Sequence, residues 1–227
     1  MPKSNWLKEE FSYGYSSGNI LSLIPNFDRI REEKKIGGSY REVFFKAIRP
    51  FLTSSSRVLE LGPRKGSWSR AILKYIPHGI LHTIDFQDVT SWIDPKLYSG
   101  RLICHKVSDY SYEAIPNTYF DFFWSMGVMC HNNLTDIEKI LTSSLPKMKP
   151  GSYAVHQYSD WNKLENYGWK RGQIPEEFKL MEDDLIWWPR NNQVTMSEIA
   201  SKVGWEVINS DLNLVKRDSI ILLRAPL

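Results

Sequence analysis

The sequence predicts an α/β protein built on a parallel sheet, and two observations predict it. From Val58 onward, short apolar runs rich in β-branched and aromatic residues alternate with longer segments of helical character. The first of these runs also ends in a glycine-bearing turn, Gly62-Pro-Arg-Lys-Gly66, that opens into a helical segment, as strands do in doubly wound sheets.

In chain order the pattern predicts seven strands. Residues 57–61 form the first, followed by a helix over 68–75. The second, third and fourth cover 80–86, 101–107 and 119–125. Thr135-Asp-Ile-Glu138 has capping-box spacing, so a helix is expected to start there and run toward Lys147. Met148-Lys-Pro-Gly151 should break the chain ahead of a fifth strand at 152–158, because Pro and Gly stop helices. A second box, Thr195-Met-Ser-Glu198, opens a helix ending at Gly204, and strands at 205–208 and 218–224 follow. Two stretches stand outside this alternation. Residues 1–39, with Tyr13-Gly-Tyr15-Ser-Ser-Gly18, are expected to cover one end of the sheet. Residues 160–193 are expected to be an aromatic lid or binding insertion within a domain spanning 40–227, since long loops in compact domains usually have such roles.

Composition bounds the function. The chain has 227 residues, enough for one large domain, with 42% hydrophobic and 24% charged residues, the make-up of a water-soluble globular protein. A net charge of +3 without a long Lys/Arg run makes nucleic acid an unexpected partner. Cys104 and Cys130 are the only cysteines, which excludes a disulfide framework and points to a reducing compartment, the cytoplasm. The first ten residues lack the apolar core of a secretion signal, and no stretch approaches the roughly 20 apolar residues of a membrane span. Nine Trp and eleven Tyr exceed what a core of this size needs, so some are expected to line a binding surface.

The turn after the first strand fits neither phosphate-binding fingerprint. Arg64 replaces the middle glycine of a dinucleotide turn, and the terminal Gly-Lys-Ser/Thr of a P-loop is absent. Glu60, just before the turn, would repel a pyrophosphate but favour an ammonium group. Asp85 closes the second strand about 20 residues later, where a carboxylate accepts from ribose hydroxyls. Asp109, after the third strand, is placed to accept from an adenine amino group. These positions describe a site for an adenosine with an amino-acid tail and no phosphates.

Glu60-Leu-Gly62-Pro-Arg-Lys-Gly66 resembles the first motif of class I S-adenosylmethionine-dependent methyltransferases. Thr83-Ile-Asp85-Phe86 resembles that family's ribose motif, and Val107-Ser-Asp109-Tyr110 its adenine-side motif. Leu145 to Gly151 is similar to the helix and turn before the family's fifth strand, and Asp218 to Arg224 to its antiparallel last strand. The resemblance runs from about Tyr40 to the C-terminus. It implies a Rossmann-like doubly wound seven-stranded sheet with helices on both faces and an antiparallel last strand. It further implies S-adenosyl-L-methionine as cofactor, held by Glu60, Gly62, Gly66, Asp85, Phe86, Asp109, Tyr110 and Ser125.

Departures from the family narrow the chemistry. The Asn/Asp-Pro-Pro-aromatic signature of adenine amino-methyltransferases is missing after the fourth strand, where the chain reads Trp124-Ser-Met-Gly-Val-Met-Cys-His131. No acidic cluster calls for a metal. Cys130 lacks the preceding proline of thiolate-dependent cytosine methylation and reads as a structural thiol. Methyl transfer to a hydroxyl needs an aligned acceptor and a base. His131 stands at the expected crevice as that base, or else as a helix-entry residue packing on Leu134. Tyr158 and Asp160, at the exit of the fifth strand, are the other catalytic candidates. Arg64 and Lys65 either point to solvent or face an anionic substrate group. Trp161, Trp169, Trp187, Trp188 and Arg190 either contact the acceptor or pack the insertion onto the sheet. The expected function is O-methylation of a small molecule or a glycan. The alternatives are a cofactor-binding regulatory protein without turnover, or an RNA methyltransferase.

Overall fold

The computed structural model describes residues 16–227. The part of the N-terminal cover before Ser16, including Tyr13 and Tyr15, lies outside the described residues. Seven strands form one sheet: β1 (Arg57–Leu61), β2 (Ile80–Asp85), β3 (Leu102–Lys106), β4 (Phe120–Ser125), β5 (Met148–Tyr158), β6 (Glu206–Asn209) and β7 (Ser219–Arg224). Their order is β3-β2-β1-β4-β5-β7-β6, with β7 antiparallel to both neighbours and the pairs from β3 to β5 parallel.

Side-chain alternation along the central strands divides the core in two. Val58, Phe122, Trp124, Val155 and Ile220 face one side, and Leu59, Leu61, Phe123, Ala154, Ile221 and Leu223 the other. Helices cover both faces. On the first lie α1 (Phe27–Ile36), α2 (Tyr40–Val43), which continues as a π-helical turn over Phe44–Ile48, and α3 (Ser67–Tyr75). On the second lies α4 (Leu134–Ser144), which buries Ile137, Ile140 and Leu141. The later helix Gln193–Lys202 joins it there through Met196 and Ala200.

Three local expectations change. Asn133 and Asn192, not Thr135 and Thr195, cap their helices. The Asn133 side chain accepts from the Asp136 N–H, and Thr195 sits at the third helical position, its side chain accepting from the Asn192 N–H in a reciprocal box. An asparagine oxygen caps as well as a threonine oxygen and comes earlier in the chain. Lys149-Pro-Gly151 does not end before β5 but lies within it. Pairing with β4 shifts register between Phe120 and Phe122, and Gly151, at φ 73°, donates its N–H to the carbonyls of Ala225 and Pro226. The stretch 160–193 is no open loop. It folds into α5 (Trp161–Tyr167), α6 (Trp169–Gly172) and two 3-10 turns around its own cluster of Cys130, Leu164, Trp169, Ile174, Phe178 and Ile186. The remaining helix, Gln193–Lys202, is α7.

The N-terminal segment docks as much on this insertion as on the sheet. Tyr167 donates its hydroxyl to the Lys34 carbonyl at 2.8 Å, and the Ile36 carbonyl accepts from the N–H groups of Lys216 and Arg217. No helix among the described residues is long and apolar enough to cross a membrane.

Candidate active site

The loop after β1 is shaped by its glycines. Gly62 has φ 74°, and a Cβ there would lie 2.4 Å from Val128 Cγ2; at Gly66, φ is 73° and a Cβ would lie 2.3 Å from Ile93. Only glycine meets both demands without strain. Arg64 also has a positive φ, 51°, and its side chain turns inward, donating from Nη2 to the Gly127 carbonyl at 2.5 Å. Its guanidinium therefore ties the loop after β1 to the loop after β4. Glu60 lies behind the loop rather than on its open side. It is 2% exposed and accepts the Ser69 hydroxyl at 2.5 Å. Burial, reinforced by nearby Asp85 and opposed by the Ser69 hydrogen bond, pushes its pKa up to about 8.

Two chambers open at the carboxyl ends of the strands, and Arg64, Gly127 and His131 belong to the walls of both. The first is a narrow slot of about 80 Å³ whose walls include Gly62, Asp85, Phe86, Tyr110, Tyr112 and Asn132. Phe86 and Tyr110 pack at 5.3 Å, and the Tyr110 hydroxyl donates to Asn132 Oδ1 at 2.5 Å. Asp85 accepts from the Gln87 N–H at 2.9 Å, and burial raises its pKa above the usual carboxylate range. Gly62, Asp85, Phe86 and Tyr110 are thus brought together. The other residues expected around the cofactor are not. Gly66 shapes the loop from behind, Asp109 is exposed and accepts the Ser111 N–H at 2.8 Å, and Ser125 is fully buried against His156 Nδ1 at 2.8 Å.

The second chamber, about 330 Å³, is sized for a small molecule. Glu32, Lys35 and Tyr40 enter its wall from the N-terminal segment, and Trp187, Trp188 and Arg217 from the other side. At the seam, His131 Nδ1 lies 2.8 Å from the Trp187 carbonyl. A carbonyl only accepts, so the proton sits on Nδ1 and the lone pair on Nε2. Burial, and next the Arg64 charge, lowers the His131 pKa to about 3.

The other two catalytic candidates are committed elsewhere. Tyr158 is buried among the second-face core, and its hydroxyl donates to the Ser210 carbonyl at 2.8 Å. Asp160, fully buried, caps α5 and accepts from Ser219 Oγ at 2.7 Å and Gln193 Nε2 at 3.2 Å. Neither lines a chamber. Within the insertion, Trp161 and Trp169 pack edge to face at 4.7 Å. Arg190 pins the segment together through Asp183 at 2.7 Å and the carbonyls of Phe178, Lys179 and Met181. Only Trp187 and Trp188 of the five predicted acceptor residues reach the chamber.

Sequence reasoning missed the group that builds the chamber floor. Gln157 accepts the Gly127 N–H at 2.7 Å and donates to Asp218 at 2.6 Å, and Asp218, fully buried, takes two hydrogen bonds from Arg217. An Arg-Asp pair before an apolar strand reads as a solvated turn, so nothing local signalled its burial. Among the described residues, no cluster of three or more His, Cys, Asp or Glu could hold a metal.

More than a thousand solved chains share this architecture. One is an S-adenosylmethionine-dependent methyltransferase from Aquifex aeolicus, 18% identical, with TM-score 0.60 over 88% of this chain and all of that one. The chain has the class I methyltransferase fold. A second chain of this methyltransferase fold is an O-methyltransferase of neocarzinostatin biosynthesis, solved with S-adenosylmethionine and 2-hydroxy-5-methyl naphthoic acid. It is 13% identical, with TM-score 0.59 over 82% of this chain and 55% of that one. A third is a Haemonchus contortus phosphoethanolamine N-methyltransferase in complex with S-adenosylhomocysteine, 12% identical, with TM-score 0.58 over 84% of this chain and 54% of that one. No family model and no curated protein matches the sequence.

Proposed function

We propose that the protein is an S-adenosylmethionine-dependent methyltransferase of the cytoplasm that methylates a hydroxyl oxygen of a small molecule. The observation that carries this reading is the meeting of the two chambers at His131 beside a glycine turn packed too tightly against Val128 to admit a side chain. The donor set suits the cofactor: Asp85 can accept from ribose hydroxyls, the apolar walls around Phe86 and Tyr110 suit an adenine ring, and Gly62 admits close backbone approach. Bound there, S-adenosylmethionine supplies a methyl group already activated on a sulfonium. The protein's part is to hold the acceptor oxygen in line and take its proton.

His131 is the base in this reading. Its Nδ1–H is fixed by the Trp187 carbonyl, and its lowered pKa keeps the ring neutral above about pH 3 while making it a weak base in the unliganded site. A negative charge seated nearby would raise that pKa and strengthen the base. Sugars and other polyols remain within the reading, with the half-buried Trp187 as their stacking face, since Trp161 and Trp169 are spent inside the insertion and Arg217 covers Trp188.

The test is ligand-induced stabilisation. S-adenosylhomocysteine at 100 times its dissociation constant adds about 2.7 kcal/mol to unfolding stability. No change in Tm at millimolar ligand overturns the cofactor assignment. Acceptors are then sought as metabolites that differ by one methyl group between cells with and without the protein. His131→Ala lowers turnover on that acceptor by about 10² to 10⁴ while S-adenosylhomocysteine still binds; near-normal turnover removes the base.

A further inference from the structure

The second chamber is richer in cations and hydrogen-bond donors than a neutral acceptor requires. Lys35 and Arg217 stand on its wall and Arg64 at the seam, and among the described residues the one carboxylate on the wall is Glu32. Glu32 is buried and shared, accepting from Arg31 and Lys35 at 3.0 Å each. Asp218 sits fully buried behind Arg217, and Asp85 offsets part of the Arg64 charge from the first chamber. Counting these partners, the three wall cations face three carboxylates, so the ion pairs balance and a bound sulfonium would leave the space net positive. A protonated amine entering beside that sulfonium meets like charge; an anion is drawn to it.

The donors are not balanced. Arg217 spends three of its five N–H groups, two on Asp218 and one on the Gly172 carbonyl at 3.0 Å, and its guanidinium lies 4.5 Å above the Trp188 ring. Trp188 is 2% exposed, yet its indole N–H has no hydrogen-bond partner. A buried donor left unpaired is costly, and because the Trp188 ring belongs to the chamber wall, a small shift of that ring toward a ligand oxygen would complete it.

We propose that the second chamber selects an acceptor bearing an anionic group, a carboxylate or a phosphate, seated by Lys35, Arg217 and the indole N–H of Trp188. This rests on the methyltransferase reading only for the acceptor's role; the anion site stands on the wall's own residues. The anion then anchors the molecule while a separate hydroxyl is presented to His131, so recognition and reaction occupy different parts of the chamber. Arg64, at the seam, belongs to the cofactor side and is not needed for this anchor.

The experiment uses matched pairs on the full chain at pH 7.5, with and without saturating S-adenosylhomocysteine. The pairs are 4-hydroxybenzoate against 4-hydroxybenzamide, and glucose 6-phosphate against glucose. Expected is a dose-dependent rise in Tm with at least one anion and none with its neutral partner. Whichever pair responds tells carboxylate from phosphate. Lys35→Gln, on a side chain 23% exposed, and Trp188→Phe, which removes the unpaired donor, each raise the half-saturating concentration about tenfold, the effect of one charge-assisted hydrogen bond. Equal shifts by anion and neutral partner, no shift by either anion at 10 mM, or an unchanged half-saturating concentration in both variants overturns the anion site. A shift with an anion but none with S-adenosylhomocysteine keeps the anion site and removes the methyltransferase reading.

Discussion

The two chambers that meet at His131 are assembled from opposite kinds of chain. The first takes its walls from segments that directly follow strands of the sheet: Gly62 and Arg64 after β1, Asp85 and Phe86 at the end of β2, Tyr110 and Tyr112 after β3. The second joins Ser17, α1, the loop after β4, the insertion and the turn before β7, stretches as far apart in the chain as Ser17 and Arg217. One is a property of strand order; the other exists only when distant segments dock.

That contrast breaks most sharply at the buried pair holding the second chamber together. Asp218→Asn leaves Arg217 buried without its countercharge, and breaking a buried pair costs about 3–5 kcal/mol. Denaturant unfolding measures it. A loss below about 1 kcal/mol would show that the chamber's floor does not depend on the pair.

The first chamber is tested at Gly62. Gly62→Ala sets a methyl against Val128 and demands a left-handed alanine, which together cost about 2–4 kcal/mol and displace Val128 in the wall of the slot. Wild-type affinity for S-adenosylhomocysteine in this variant would mean that the cofactor does not approach the loop.

Acidity separates the shared floor from the loop. His156 is fully buried with a folded pKa of about 3 against about 6.5 unfolded. The unfolded chain binds its proton first, so stability is complete above about pH 6.5 and falls as pH drops toward 3. By pH 5 the loss from this group is about 2 kcal/mol. His156→Gln, which keeps a partner for Ser125, flattens that fall in urea titrations at pH 7 and 5. Glu60 runs the other way. Its folded pKa of about 8 lies above its unfolded value, so its contribution is complete below about pH 4.5 and is lost as pH rises toward 8. Glu60→Gln is accordingly more stable than wild type at pH 8.

The smallest effect is expected at Asp109. It is exposed and accepts the Ser111 N–H, and Asp109→Ala changes stability by less than about 0.5 kcal/mol and leaves S-adenosylhomocysteine affinity within twofold. A tenfold loss of affinity by calorimetry would mean that the loop after β3 closes over the ligand and that the first chamber is less preformed than the second.

Much of this was legible beforehand for a local reason. Apolar alternation set the seven strands, and Gly62, Asp85, Phe86 and Tyr110 meet because each occupies the end of a strand or the loop after it, and parallel strands bring those ends together. The errors were also of one kind. Tyr158 and Asp160 sit at the end of a strand too, but their side chains are consumed by Ser210, Ser219 and the first turn of α5. Trp161, Trp169, Trp187 and Trp188 are neighbours in sequence and all join the insertion's core, but only Trp187 and Trp188 also reach the chamber wall, while Arg190 is held by Asp183 and three carbonyls.

By itself, then, the sequence determined the sheet, the glycine cradle and the ends of strands where a ligand must sit, because hydrophobic period and turn chemistry act over a few residues. Only the tertiary structure decided that Arg64 turns inward, that Glu60 braces the loop from behind, and that Lys35, Trp188 and Arg217 face one cavity. Direction and burial of a charged side chain depend on what docks against it, and those partners lie as far apart in the chain as Glu32 and Arg217.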